Sequence, residues 1–438
     1  MPRAIEIAMR TAIQKQGVAV LVIPGDVALG AAASDAAVRW SEVELPVVVP
    51  PEAEIDRLAE LLNGAGSITM LCGAGCAGAH DEVVALAEAL KAPIVHSLRG
   101  KDHVEHDNPY DVGMTGFIGF ASGYHAMRSA DLLLMLGTDF PYRQFYPADA
   151  KVAQIDVRGE NLGKRTRLDL GLVGDVCETL RRLAPKLTPK PDATFLKKAQ
   201  DHYVKTRKEL DALAVGKSGA ASVHPQYLAK VIDEVASDDA VFTVDVGQTT
   251  VWAARYLRLK GTRRLIGSML HGSMANAMPQ SLGAQAAYPK RQVVSLSGDG
   301  GFTMMMGDIV SVSQLGLPVK IVVFNNGLLG FVDIEMKAAG FLPFGTDLKN
   351  PNFAAMAEAL GIKGIRVEDP GDVRPAIEQA FAHDGPALVD VVTDPMELVM
   401  PPEIKAEQAI GFSLYAARAI MNGRGDEIVE LAKSSLFR

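Results

Sequence analysis

At 438 residues the chain is longer than one ordinary hydrophobic core supports, so two or three domains are expected. Its 48% hydrophobic and 22% charged residues are those of a folded globular protein. The net charge of −8 comes without a basic cluster able to track a phosphate backbone, and the longest apolar runs fall far short of the roughly 20 residues a membrane span needs, so neither nucleic acid binding nor a transmembrane role is expected.

The chain opens with "AIEIAMRTAIQKQGVAVLVIPGDVAL", a helical pattern followed by an apolar strand run around Val18 to Ile23. Charges interrupt every early apolar stretch, so no secretion signal is read there. One helix and one strand cannot bury a core, and the segment reads as the tail of a domain whose beginning is missing. "VELPVVVPPEAE" marks a joint near residue 48. Beyond it, short Val/Ile/Leu runs alternate with helical patterns. "SITMLCG", "APIVHS", "DLLLMLG" and "KVAQIDV" form a first series; "AVFTVDVG", "RQVVSLSG", "VKIVVFNN" and "PALVDVV" form a second. Continuous apolar strands separated by helices predict an α/β protein with two parallel-sheet domains. The polar stretch from Lys186 to Pro225 reads as a linker with a surface helix. The expected divisions are 1–48, 49–200, 201–396 and a tail, 397–438.

Cys72, Cys76 and Cys177 are an odd number that suits a reducing cytosol, and Cys72 and Cys76 lack the second pair a zinc site needs. They are expected to be buried thiols beside a Gly-rich turn. That turn carries G-x-G-x-x-G at Gly73, Gly75 and Gly78. The next strand, "APIVHSLRG", has no acidic residue at its end to hold a ribose, so a nicotinamide dinucleotide is disfavoured.

The strand run "RQVVSLS" ends in Gly298-Asp299-Gly300-Gly301, at the carboxyl end where open parallel sheets bind ligands. The next run, "VKIVVF", ends in Asn325-Asn326, which places Asp299 and Asn326 at neighbouring strand ends. A carboxylate, an amide oxygen and a backbone carbonyl, here assigned to Leu328, are hard ligands suited to Mg²⁺ or Ca²⁺, with a phosphate completing the shell.

"VVSLSGDGGFTMMMGDIVSVSQLGLPVKIVVFNNGLLGF" resembles the cofactor motif of the thiamine diphosphate (ThDP) enzymes. The resemblance implies that Asp299 and Asn326 ligate Mg²⁺ and that Gly300 and Gly301 contact the diphosphate. It further implies that Gly327, Leu328, Leu329, Gly330, Phe331 and Val332 border the cofactor. "HGSMANAMPQ" is similar to the turn beneath it, where Gly272, Ser273 and Met274 would lie, Met274 as the apolar wedge. "DVGQTTVW" is similar to the segment that reaches the aminopyrimidine, through Gly247, Gln248 and Thr249. The segments "LRGKDHV", "GMTGFIGFASGYHAM", "LGTDFPYRQFYP", "QIDVR" and "LVGDV" are similar to the FAD-binding central domain of the oxidase branch. They point to Phe117, Ile118, Gly119, Phe120, Phe140, Pro141, Tyr142, Arg143, Gln144, Arg158 and Asp175 as flavin contacts, with Asp156 at the ribose or adenine end.

"NNGLLGFVDIEMKAAGF" lacks the Trp-containing continuation usual in acetolactate synthases and is closer to the pyruvate oxidases, in particular the quinone-dependent pyruvate dehydrogenases. That likeness implies oxidative decarboxylation of pyruvate to acetate and CO₂, with electrons passing through FAD to ubiquinone. It gives Phe331 a place between thiamine and flavin, and Glu335 a place near the substrate. It also implies a homo-oligomer, a tetramer in the family, that is cytoplasmic and peripheral on the inner face of the cell membrane. The tail "GRGDEIVELAKSSLFR" agrees: Asp426 can cap a helix on which Ile428, Ala432 and Leu436, with Val429 and Phe437, form an apolar stripe. Such a helix packs on its own protein or meets lipid, and the family uses it for lipid. The glutamate that activates the thiamine in this family would lie before residue 1, so the chain is expected to be truncated and weakly active or inactive alone. Two other readings stand beside this one: an acetolactate synthase-like carboligase, and a non-catalytic flavin- and lipid-binding relic that joins a full-length homologue.

Overall fold

The computed structural model describes residues 1–32, 43–216, 222–399, 401–402 and 406–436, the last four without their side chains. Two six-stranded sheets organise it. The first contains β1 (Ile68–Cys72), β2 (Ile94–His96), β3 (Asp111–Met114), β4 (Leu132–Leu136), β5 (Lys151–Asp156) and β6 (Leu170–Val173). Their order is β3-β2-β1-β4-β5-β6, with every neighbouring pair parallel. The second contains β7 (Val241–Val244), β8 (Arg264–Gly267), β9 (Val293–Gly298), β10 (Lys320–Asn325), β11 (Lys363–Val367) and β12 (Ala387–Val392). It is also all-parallel, in the order β11-β12-β10-β9-β7-β8.

The apolar runs explain this architecture. β1 and β4 are buried along their whole length. Alternate residues of β4 enter different cores: Leu132, Leu134 and Leu136 pack on one face, Leu133 and Met135 on the other. A strand covered on both faces has no use for polar alternation. The covering helices are amphipathic: Glu52–Gly64 buries Ile55, Leu58, Ala59 and Leu62, and His80–Leu90 buries Val83, Leu86, Ala87 and Leu90.

Register then places the functional ends. Phe324 of β10 pairs with Gly298 of β9, so Asp299 and the two asparagines leave adjacent strands side by side. In each sheet the strand order reverses beside the first strand, at β1/β4 and at β7/β9. Crevices open at such switch points. In the first sheet this crevice is closed by backbone. The amides of Gly73 and Gly75 donate to Leu136 O and Gly137 O, both at 2.9 Å, and a Cβ on Gly75 would stand 2.6 Å from Gly137 Cα. The G-x-G pair is a packing device between two turns, and its amides are spent. Cys72 and Cys76 are buried beside it.

Three expectations change. No strand forms at Val18 to Ile23; Val18, Val20 and Val22 are 93%, 80% and 82% exposed. An extended segment holds as a strand only where a neighbouring edge completes its ladder, and none of the described residues supplies one. The division at 200/201 falls inside the helix Thr194–Leu213, which lies against the first domain through Tyr203 on Phe120 and reaches the second through Arg207 to Arg255 O. Asp426 is the second residue of the helix Gly425–Leu436 rather than its cap. That helix packs on the helix Ala406–Met421, with Tyr415, Ala419 and Leu431 buried. The side chain of Leu436, and Phe437 entirely, lie outside the described residues.

Candidate functional site

At the β7/β9 switch point lies a cavity of about 230 Å³. Its wall is built from the residues that follow four strands. Asp245 to Thr249 follow β7, Gly298 to Gly301 end β9 and begin the next helix, Asn326 and Leu328 to Val332 follow β10, and Thr393 and Asp394 follow β12. Gly272 and Met274 contribute from the turn before the helix Ala277–Ala287, and Pro225 and Trp252 from two flanking helices.

Asp299 is 2% exposed at the first position of the helix Asp299–Met304. Its Oδ1 accepts from Gly300 N at 2.8 Å; its Oδ2 accepts from Gly327 N and Asn350 Nδ2, both at 2.7 Å. Burial pushes its carboxyl above the usual range, opposed by these donors. All three partners are neutral amides, so a divalent cation would supply the countercharge this buried carboxylate lacks. Asn326 is locked from both sides: its Nδ2 donates to Gln248 Oε1 and its Oδ1 accepts from Leu328 N, both at 3.0 Å. Gly327, at φ 69°, makes the turn between them. Asp245 is also buried, with its pKa raised by desolvation, and its Oδ1 accepts from Ala277 N at 2.8 Å. Gly301 has to be glycine because a Cβ there would stand 2.5 Å from Asp245 Oδ2.

Thus Gly247, Gln248, Thr249, Gly272, Met274, Asp299, Gly300, Gly301, Asn326, Leu328, Leu329, Gly330, Phe331 and Val332 line one cavity. Ser273 and Gly327 stand just behind it, Ser273 with its hydroxyl on Met274 O at 2.8 Å. Glu335 is exposed on the helix Gly330–Ala338 and is not part of the wall. Sequence reasoning left out Asp245, Trp252, Thr393 and Asp394. Thr393 and Asp394 follow a predicted strand and could have been found by the strand-end rule; Trp252 lies four residues after Gln248 on the same helix face, a spacing that could have found it once the helix was placed.

The flavin candidates lie on two loops of the first domain that meet through aromatic rings. Phe117 stands edge-on to Tyr142 at 4.8 Å and to Phe145 at 5.2 Å, and Phe140 to Tyr142 at 5.4 Å. Phe117, Pro141, Tyr142, Arg143, Gln144 and Arg158 are exposed, whereas Phe120 and Phe140 are buried. Asp156 is buried and turned to its own loop, accepting from Arg158 N at 2.9 Å and Asn161 Nδ2 at 3.2 Å. Asp175 caps the helix Val176–Leu183 by accepting from Glu178 N. The aromatic face fits a planar ring system; the two acids are occupied internally.

The two regions are joined. Arg255, 7% exposed in the last turn of the helix Gln248–Tyr256, donates to Ile118 O at 3.0 Å and Gly119 O at 3.4 Å. The first turn of the same helix lines the cavity.

Comparisons with known proteins agree with this geometry. The model for the central domain of thiamine pyrophosphate (thiamine diphosphate) enzymes matches residues 55–183, and that for their C-terminal TPP binding domain matches residues 245–391. The chain is 34% identical over 439 positions to a putative thiamine pyrophosphate-containing protein, YdaP, of Bacillus subtilis, covering 99% of this chain and 75% of that protein. It is 61% identical over 214 residues to an uncharacterized 42.6 kDa protein of Pseudomonas amyloderamosa, covering 49% and 54%. It is 29% identical over 385 residues to a probable acetolactate synthase large subunit of Methanocaldococcus jannaschii, covering 83% and 64%. The chain thus spans between about half and three quarters of the length of these relatives. It belongs to the thiamine diphosphate-dependent enzymes, of which it carries the central and the C-terminal, cofactor-binding domains.

Proposed function

We propose that this chain is the cofactor-binding part of an enzyme that oxidises pyruvate to acetate and CO₂, with FAD passing the two electrons to membrane ubiquinone. The observation that carries the reading is the convergence of buried Asp299, locked Asn326 and a glycine-lined cavity at one switch point. In this reading Asp299, Asn326 and the Leu328 carbonyl hold Mg²⁺, Gly300 and Gly301 receive the diphosphate, and Met274 supports the ring system. Thiamine diphosphate, when bound, supplies a carbon nucleophile for the keto group and accepts the electron pair left by departing CO₂. The protein's part is orientation and keeping bulk water away, while a single water supplies the oxygen that acetate gains. Gln248 holds the Asn326 amide, and Phe331 and Trp252 give the cavity apolar wall.

For the flavin, exposed Phe117 and Tyr142 offer a stacking face, and Arg143 and Arg158 offer cations to its phosphates. For the membrane, Phe341, Phe344, Ile410, Ile420 and Val429 leave apolar side chains exposed on and beside the tail. Leu270, Met304 and Leu315 leave a second exposed set near the cofactor domain, which supports association into a homo-oligomer. No helix among the described residues is long and apolar enough to cross a membrane.

A carboligase that condenses two pyruvates is the second reading, favoured by the relatives named as acetolactate synthases. One experiment separates the two. The chain is mixed anaerobically with FAD, ThDP, Mg²⁺ and pyruvate while flavin absorbance and products are followed. Bleaching with acetate formed supports the oxidase; acetolactate with the flavin still oxidised supports the carboligase. A bound flavin that stays yellow with neither product fits a non-catalytic flavin- and lipid-binding partner of a full-length homologue.

A further inference from the structure

Behind Asp299 runs a row of side chains of which only Asn325 falls within the cofactor motif. Asn350 lies in the loop before the helix Phe353–Ala359, and its Nδ2 donates to Asp299 Oδ2 at 2.7 Å and to Asn325 Oδ1 at 2.8 Å. Asn325 in turn donates to Asp390 Oδ1 at 2.9 Å. Asp390 is fully buried, and its other oxygen accepts from Phe353 N at 3.1 Å and Arg366 Nη1 at 2.5 Å. Asp299, Asn325, Asp390 and Arg366 belong to or follow β9, β10, β12 and β11, which are neighbours in that order. The row therefore crosses four adjacent strands, from the cavity to the edge of the sheet.

We propose that Asn350 is a positioning residue for the metal-binding carboxylate, and that Asn325, Asp390 and Arg366 form the strut that fixes Asn350. The proposal rests on the Mg²⁺–ThDP reading of Asp299. Among the described residues, Asn350 is the one side chain that donates to Asp299; the other two donors are backbone amides. It shares Oδ2 with Gly327 N, opposite the oxygen held by Gly300 N, so its loss leaves that oxygen one donor and loosens the carboxylate's last torsion. Groups that orient metal ligands in this way typically change metal affinity by roughly 10- to 100-fold when removed. The row is also not core filler. Asn325, Asn350 and Arg366 line a second cavity of about 280 Å³, so shortening Asn350 leaves room that water can occupy.

The bland alternative is that Asn350 only pins its loop. Asn352, two residues on, gives the control: its side chain caps the helix Phe353–Ala359 by accepting from Ala355 N at 3.0 Å and makes no bond to Asp299. The chain has two tryptophans, Trp40 and Trp252, and Trp252 lies in the cavity wall, so a Trp40→Phe background isolates one reporter. Fluorescence is followed while Mg²⁺ is titrated at fixed ThDP, and thermal midpoints are recorded for each variant. Asn350→Ala is expected to raise half-saturating Mg²⁺ by roughly 10- to 100-fold. Arg366→Gln, at the far end of the row, should raise it by less. Asn352→Ala should lower the thermal midpoint and leave the Mg²⁺ titration where it was. A wild-type Mg²⁺ midpoint in Asn350→Ala, or an equal shift in Asn352→Ala, overturns the proposal while leaving the cofactor reading intact. A parent chain with no Mg²⁺-dependent response to ThDP overturns the reading, and the proposal with it.

Discussion

Gly411 lies on the backbone of Ala338 with no room for a side chain between them: a Cβ there would run into the Ala338 carbonyl. This contact seats the helix Ala406–Met421 on the helix Gly330–Ala338, whose first turn lines the cofactor cavity. Arg418 donates to Gly340 O at 2.6 Å beside it. Gly411→Val should overpack the joint at a cost of about 1–3 kcal/mol and loosen the whole tail. Limited proteolysis would then cut the tail about tenfold faster, and sedimentation with lipid vesicles would increase. An unchanged digestion pattern would mean that other contacts hold the tail.

Asp299→Ala should remove the response to cofactor without unfolding the chain. On the proposed reading, Mg²⁺ with ThDP at about 100 times its dissociation constant should stabilise the parent by about 2.7 kcal/mol. That gain is expected to disappear in the variant, as read by thermal unfolding with and without both ligands. Retention of the gain would show that the metal is held elsewhere.

His96 Nε2 and Asp111 Oδ1 face each other at 3.5 Å, both buried. Burial pushes the imidazole down from 6.5 to about 4, with Lys101 adding to it, and pushes the carboxyl up from 3.8 to about 8, with Glu105 adding to it. The signs are opposite. The imidazole's contribution is present above pH 6.5 and lost as pH falls toward 4. The carboxyl's is present below pH 3.8 and lost as pH rises toward 8. Asp111→Asn removes the second loss. Urea unfolding from pH 5 to 8 should therefore show the variant gaining on the parent with rising pH, by at most about 1.4 kcal/mol per pH unit. A constant difference would mean that Asp111 is ionised throughout that range.

Arg255→Met should cost about 1.5–3 kcal/mol in urea unfolding, because two carbonyls of the flavin-candidate loop lose a charged donor. Flavin affinity should fall with it, as followed by flavin fluorescence, more than ThDP affinity does. Equal losses would argue for general unfolding.

Eight of the nine apolar runs read from the sequence are the eight interior strands; the ninth, Val18 to Ile23, forms none. The four strands the sequence did not show, β3, β6, β8 and β11, are the four sheet edges. Their segments, "DVGM", "LGLV", "RLIG" and "KGIRV", each carry a glycine, and an edge needs less apolar cover than an interior strand. The cavity was legible for a related reason: its wall follows the carboxyl ends of those interior runs, where sequence position alone implies adjacency. What failed depended on helix phase or on long-range pairing. Glu335 shares a helix with Phe331 yet faces solvent, and Asn350 reaches Asp299 across a loop whose path no local pattern predicts.

The nine-residue helix Gln248–Tyr256 touches the thiamine cavity at one end and, through Arg255, the aromatic loop at the other. At 1.5 Å per residue it measures about 13 Å. A rod of that length keeps its two ends at a set separation whatever the surrounding loops do. Electrons leaving one end for the other would cross a gap defined by backbone hydrogen bonds, and lengthening the helix by one turn would widen that gap by about 5.4 Å.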